Sequence, residues 1–135
     1  MTGALAMVVA VLAAALHVAI FAMESVLWTR PAVWRRFGVA DQDAAEVTRP
    51  MAYNQGFYNL FLASGAGLGV ALYGIGRSGA DEGLQVAGYT LMLFSLGSML
   101  AAALVLTTTG ARYLRPAVVQ GTLPLIGVVL LLLPL

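Results

Sequence analysis

The chain has 135 residues, a mean hydropathy of +0.90 and only 10% charged residues, well under the quarter usual in soluble domains, so it reads as a membrane protein. Its net charge of +1 leaves no polybasic surface and argues against nucleic acid as a partner. With no cysteine and one histidine it excludes thiol chemistry, disulfides and a multi-histidine metal centre; no metal and no cofactor is expected.

Four apolar runs near the length of roughly 20 residues needed to cross the hydrocarbon core predict helices over about 3–28, 51–75, 84–108 and 117–135. The fold class is all-α: one membrane domain, residues 1–135, built as a four-transmembrane-helix bundle in the lipid bilayer. No Lys or Arg precedes the first run, and the run outlasts a signal-peptide core, so it is read as a retained helix.

The stretch 29–50 reads as a polar interfacial loop. Trp28, Trp34 and Phe37 interleave with Arg30, Arg35 and Arg36, the composition of a headgroup anchor. Asp41 caps a short helix through Gln42–Val47, and Pro50 either opens the second helix or kinks a longer one. Six arginines (30, 35, 36, 49, 112 and 115) fall in the first and third loops, against Arg77 alone in the second. Positive-inside bias then predicts a multi-pass protein of the cell inner membrane, with both termini outside.

The second helix carries a small-residue face, with Gly65 and Gly69 opposite Gly88, Ser95, Gly97, Ser98 and Ala101–Ala103 of the third. That face also makes the Gly-rich helix a candidate contact for a homo-oligomer. The segment Gly74–Gly79 matches G-x-G-x-x-G, but it ends a membrane helix with no strand before it and is read as a turn.

Depth separates the polar residues from the rest. At 1.5 Å per residue from Trp28, Glu24 lies about 6 Å inside the first helix and His17 about 16 Å. Asn54 and Gln55 lie about 5–6 Å deep, Asn59 about 12 Å, and Gln120 about 5 Å from the start of the fourth helix. Three helices thus bring amides and an acid to one level, in the half of the membrane next to the arginines. Facing lipid, an acid at mid-membrane costs about 2.5–3.5 kcal/mol, so these groups are expected to turn inward. Tyr53 and Tyr58 add phenols that can donate. The candidate catalytic groups are Glu24 and His17; the candidate ligand-binding residues are Asn54, Gln55, Tyr58, Asn59, Gln120 and Trp28. His17 and Glu24 are about 10 Å apart along the helix, which makes them the floor and rim of a pocket rather than a hydrogen-bonded pair.

The segments His17–Thr29, Phe37–Gly38 and Asn54–Ala63, with Gln120–Gly121 followed by Pro124, resemble a family of small bacterial integral membrane proteins. That family is known as a domain of unknown function, number thirteen-oh-four. The resemblance implies four membrane helices and a signature of His17, Glu24, Trp28, Asn54, Gln55, Gly56, Tyr58 and Asn59; it brings no activity. The expected function is therefore drawn from the residues. It is an inner-membrane protein whose cytoplasm-proximal polar pocket binds a lipophilic small molecule, with acid–base chemistry of the isomerase, epoxide-opening or cyclase type within reach. A small proton-coupled transporter and a structural subunit of a membrane complex stand as alternatives.

Overall fold

The computed structural model describes residues 2–133, and the last two residues of the expected fourth span lie outside them. Four long apolar helices form the bundle: α1 (Thr2–Phe21, continued by a π-turn over Ala22–Val26), α3 (Gln42–Gly79), α4 (Glu82–Thr107) and α5 (Leu114–Leu132). A one-turn helix α2 (Pro31–Trp34) follows the π-turn, and short 3-10 turns cover Arg35–Phe37 and Ala111–Tyr113. In the ring of helices α3 and α5 both touch α1 and α4, which puts α1 and α4 on the diagonal. The start of α1 and the end of α5 share the end of the bundle that carries Arg77; the other six arginines, all exposed, mark the opposite end.

Small residues of two helices meet large ones of a third in the core. Ala6, Ala10 and Ala13 of α1 and Ala66 of α3 face Met92, Leu96 and Met99 of α4, all essentially inaccessible. The outside is apolar as well: Val8, Val11, Leu12, Leu68, Phe94, Leu104 and Val118 are exposed, as suits a surface solvated by lipid. The small-residue faces join α3 to α4. A Cβ on Gly69 would lie 2.7 Å from the Met92 nitrogen and 2.9 Å from the Gly88 carbonyl, and one on Gly65 would lie 2.5 Å from Ser95 Oγ. Gly97 stands apart, with nothing within 4 Å of its Cβ position. These α3 glycines are thus occupied within the chain, whereas nothing lies within 4 Å of the Cβ position of Gly67.

The largest departure from expectation is the stretch 29–50. It is not a loop throughout, because α3 starts at Gln42 and runs unbroken through Pro50. Asp41 caps this long helix itself, its Oδ1 accepting from the Ala44 N–H at 2.8 Å. Pro50 denies an N–H only to the Glu46 carbonyl, in an exposed turn where water can replace it. At 38 residues, about 57 Å, α3 outreaches the roughly 30 Å hydrocarbon core. Its protruding turns offer Ala45 and Ala52 as a small surface, and Trp28, Val33 and Trp34 fold onto them. Trp28 and Trp34 are therefore buried within the chain, at 6% and 3% exposure. Trp28 Nε1 donates to the Ala45 carbonyl at 2.9 Å, and Trp34 Nε1 donates to Gln42 Oε1 at 3.2 Å. A Trp28→Phe chain is expected to unfold in detergent about 1 kcal/mol more easily, the share of one hydrogen bond, while Trp28→Ala loses about 3–5 kcal/mol. Equal losses for the two would show that the indole N–H and the ring packing do not separate in this way.

The segment Gly74–Gly79 is helical rather than a turn. The reversal comes at Ala80, in the left-handed region at φ 53°, and Asp81 then caps α4 through the Leu84 N–H at 2.9 Å. Gly76 lets α4 begin close by, since a Cβ there would lie 2.6 Å from the Gln85 nitrogen.

Candidate functional site

Along α1, Ala6, Ala10, Ala13 and His17 succeed one another at helical spacing and form its buried inward stripe. His17 is 2% exposed, and its Nδ1 lies 2.9 Å from the Ala13 carbonyl of its own helix. A carbonyl only accepts, so Nδ1 carries a proton.

Beyond Phe21 the helix widens. The Leu27 N–H reaches back five residues to the Ala22 carbonyl at 2.9 Å, closing the π-turn in which Glu24 and Ser25 sit. One extra residue in a turn rotates the rest of the helix by about 100°, and such turns recur at functional sites. Here the turn presses Glu24 and Ser25 onto α3 at Gly56. A Cβ on Gly56 would collide with Ser25 Oγ and lie 3.1 Å from the Cβ atoms of Glu24 and Ser25. Ser25 Oγ donates to the Tyr53 carbonyl at 2.8 Å and ties the turn to α3.

Asn59 completes the arrangement. Its Nδ2 donates to Glu24 Oε2 at 3.0 Å and to the Gln55 carbonyl at 3.0 Å. Both partners are acceptors, which fixes the amide nitrogen on that side. Glu24 Oε1 and Asn59 Oδ1 have no hydrogen-bond partner among the described residues, and neither do the side chains of Gln55, Tyr58 and Gln120. Among those residues no fully buried side-chain nitrogen or oxygen is left without a partner, so the free groups are ones a small molecule can reach.

The helix period shows where these groups face. Gln55 lies eighteen residues, five turns, before Tyr73, and Asn59 seven residues before Ala66. Tyr73 and Ala66 are buried in the core, whereas Gln55 is exposed and Asn59 half-buried. One stripe of α3 is thus closed in mid-bundle and open towards the arginine-rich end. On α5, half-buried Gln120 lies seven residues before buried Gly127 and likewise faces inward. Pro124 offers no N–H to the Gln120 carbonyl. The bundle therefore has a polar mouth at this end, with Glu24, Asn59, Gln55 and Gln120 on its inner faces, exposed Tyr58 at its side and His17 in the core beyond it.

Two expected site residues are placed elsewhere. Asn54 shares the depth of Gln55 but is turned 100° from it on α3 and is exposed outside the mouth. Trp28 is spent on the Ala45 contact, its N–H engaged. Three features of the site lie beyond the sequence reading: the π-turn, the Ser25–Tyr53 tie and an aromatic cluster on the α1–α3 seam. In that cluster Phe57 meets Phe21 at 5.2 Å, Tyr53 at 4.9 Å and Phe61 at 6.2 Å between ring centres. Only the cluster had a sequence signal, the four-residue spacing of Tyr53, Phe57 and Phe61.

Two apolar grooves lie apart from this site. One, of about 420 Å³, runs along the α1–α3 seam beside Met7, Val8 and Val70; another, of about 200 Å³, lies between α4 and α5 beside Leu104 and Val118. Neither is lined by Glu24, Asn59 or His17.

No curated protein and no solved structure matches the chain. The family model described as "Protein of unknown function (DUF1304)" matches residues 11–132, from the inward stripe of α1 to the end of α5. On that match, which takes in every residue of the mouth, the chain belongs to the DUF1304 family.

Proposed function

We propose that this chain binds a lipophilic small molecule at the mouth of the bundle, with the polar end of the molecule held by Glu24 and Asn59. The observation that carries this reading is the half-used carboxylate: Asn59 occupies Glu24 Oε2 and leaves Oε1 free. A residue serving only to glue α1 to α3 has little left to do here, because Gly56 and the Ser25–Tyr53 bond already join these helices. The glycine face that a subunit of a larger complex could use is likewise taken up by α4.

Glu24 can give or take a proton at the free oxygen, and the reactions this suits are isomerisation, epoxide opening or cyclisation of an apolar substrate. Asn59 and the amides of Gln55 and Gln120 orient the polar end. His17, deeper and bonded within its own helix, lies out of hydrogen-bonding reach of Glu24. In this reading the protein spans the cell inner membrane with the arginine-rich end, and so the mouth, in the cytoplasm and both termini outside. The six-to-one arginine asymmetry supports that orientation.

Lipids extracted from the purified protein test the proposal. The wild-type chain should retain a lipophilic species that is depleted about tenfold or more in Glu24→Ala, the effect of losing a hydrogen bond to a charged group. His17→Ala should deplete it less. Identical extracts from all three chains would contradict the proposal.

A further inference from the structure

Resting on that reading of the mouth, we infer that the polar end it accepts is an uncharged hydroxyl: the ligand is an apolar alcohol, not a fatty anion or an ammonium. The unspent hydrogen-bonding groups carry the inference. Asn59 Oδ1 accepts, as Glu24 Oε1 does while its carboxyl is ionised, and the bonds of Asn59 Nδ2 hold both in place. A ligand with no proton to donate, such as an ester or a ketone, leaves those two oxygens unmet. Gln55 and Gln120 contribute amide N–H groups and Tyr58 a phenol, which require an acceptor on the ligand. A hydroxyl group donates its one proton to one of these oxygens and accepts from the amide or phenol donors at the same atom.

Charge excludes the anion. All six arginines at this end of the bundle are exposed, in the connecting segments and near the starts of α3 and α5, and among the described residues none forms an ion pair with Glu24. Three of them have other partners: Arg49 pairs with Glu46 at 3.8 Å, Arg35 lies over the Trp34 ring and Arg112 over the Tyr113 ring. A carboxylate or phosphate entering the mouth meets Glu24, with which no arginine is paired. An ammonium satisfies Glu24 but accepts nothing, so the amide and phenol donors stay unpaired, and it must also shed its hydration beside apolar walls.

The experiment compares hexadecanol, hexadecylammonium and hexadecanoate, each binding to the full chain in nanodiscs of uncharged lipid and corrected for partition into empty discs. Hexadecanol should bind about tenfold tighter than either charged analogue, and Glu24→Ala should remove that advantage. Gln55→Leu, at an exposed position with no folding role, should weaken hexadecanol severalfold and serves if Glu24→Ala does not fold. A charged analogue that binds as tightly as the alcohol, or tighter, in a Glu24-dependent way would overturn the hydroxyl assignment and leave the binding site standing. Binding of no analogue that depends on Glu24 or Gln55 would overturn both.

Discussion

Replacing Gly88 by alanine is expected to destabilise the bundle by about 3 kcal/mol, a shift of more than about a hundredfold in the folding equilibrium. The new Cβ would collide with the Tyr73 nitrogen and lie 2.6 Å from the Gly69 carbonyl and 2.8 Å from Tyr73 Cα. All three are backbone atoms of α3, so no rotamer change relieves the contact and the two helices have to separate. Separation loosens the Met92 and Leu96 packing against Ala66, which lies at the centre of the core. Gly97→Ala is the control on the same helix: with nothing within 4 Å, the change gains up to about 1 kcal/mol of helix propensity and costs no contact. Reversible unfolding in mixed detergent micelles, followed by tryptophan fluorescence, measures both. Equal stability of the two variants would show that the α3–α4 approach does not depend on Gly88.

The second large effect is on the site. Gly56→Ala should reduce ligand retention by about 10–100-fold, as much as removing the carboxyl of Glu24, because it displaces the π-turn that presents that carboxyl. The added methyl group occupies the place of Ser25 Oγ, so the hydroxyl must leave the Tyr53 carbonyl and Glu24 is drawn away from Asn59. The cause can be isolated with a double-mutant cycle. Ser25→Ala alone removes one tie and should weaken binding only severalfold. Combined with Gly56→Ala it removes the colliding oxygen and should recover most of the loss. A double variant as poor as Gly56→Ala itself would mean that the Ser25 contact is not what sets the position of Glu24.

The four spans are legible in the sequence because each is a long apolar run, and the α3–α4 contact because small residues recur at helical spacing on both helices, Gly65 and Gly69 on one and Gly88 and Ser95 on the other. The pairing of Glu24 with Asn59 obeys the same logic: two polar side chains at nearby depths in an apolar medium find each other. Depth alone misplaces Asn54, since adjacent residues of a helix point 100° apart and only one of Asn54 and Gln55 can face inward.

The stretch 29–50 misleads for a different reason. Its arginines and tryptophans have the composition of an anchor, and Pro50 reads as a boundary. What decides its structure is a tertiary contact, the small surface of Ala45 and Ala52 that exists only because α3 extends through Pro50. The π-turn leaves no trace in propensity. It depends on α3 having no side chain at Gly56, on a helix that begins some twenty residues later in the chain.

The most direct test of the account is to locate a bound probe. A hexadecanol derivative with a photoreactive diazirine next to the hydroxyl, activated in nanodiscs containing the full chain, should label peptides carrying Glu24, Gln55 and Asn59. Labelling there should fall about tenfold in Glu24→Ala. Labelling confined to the lipid-facing grooves beside Val8 or Leu104, and unchanged in that variant, would contradict a binding site at the mouth of the bundle.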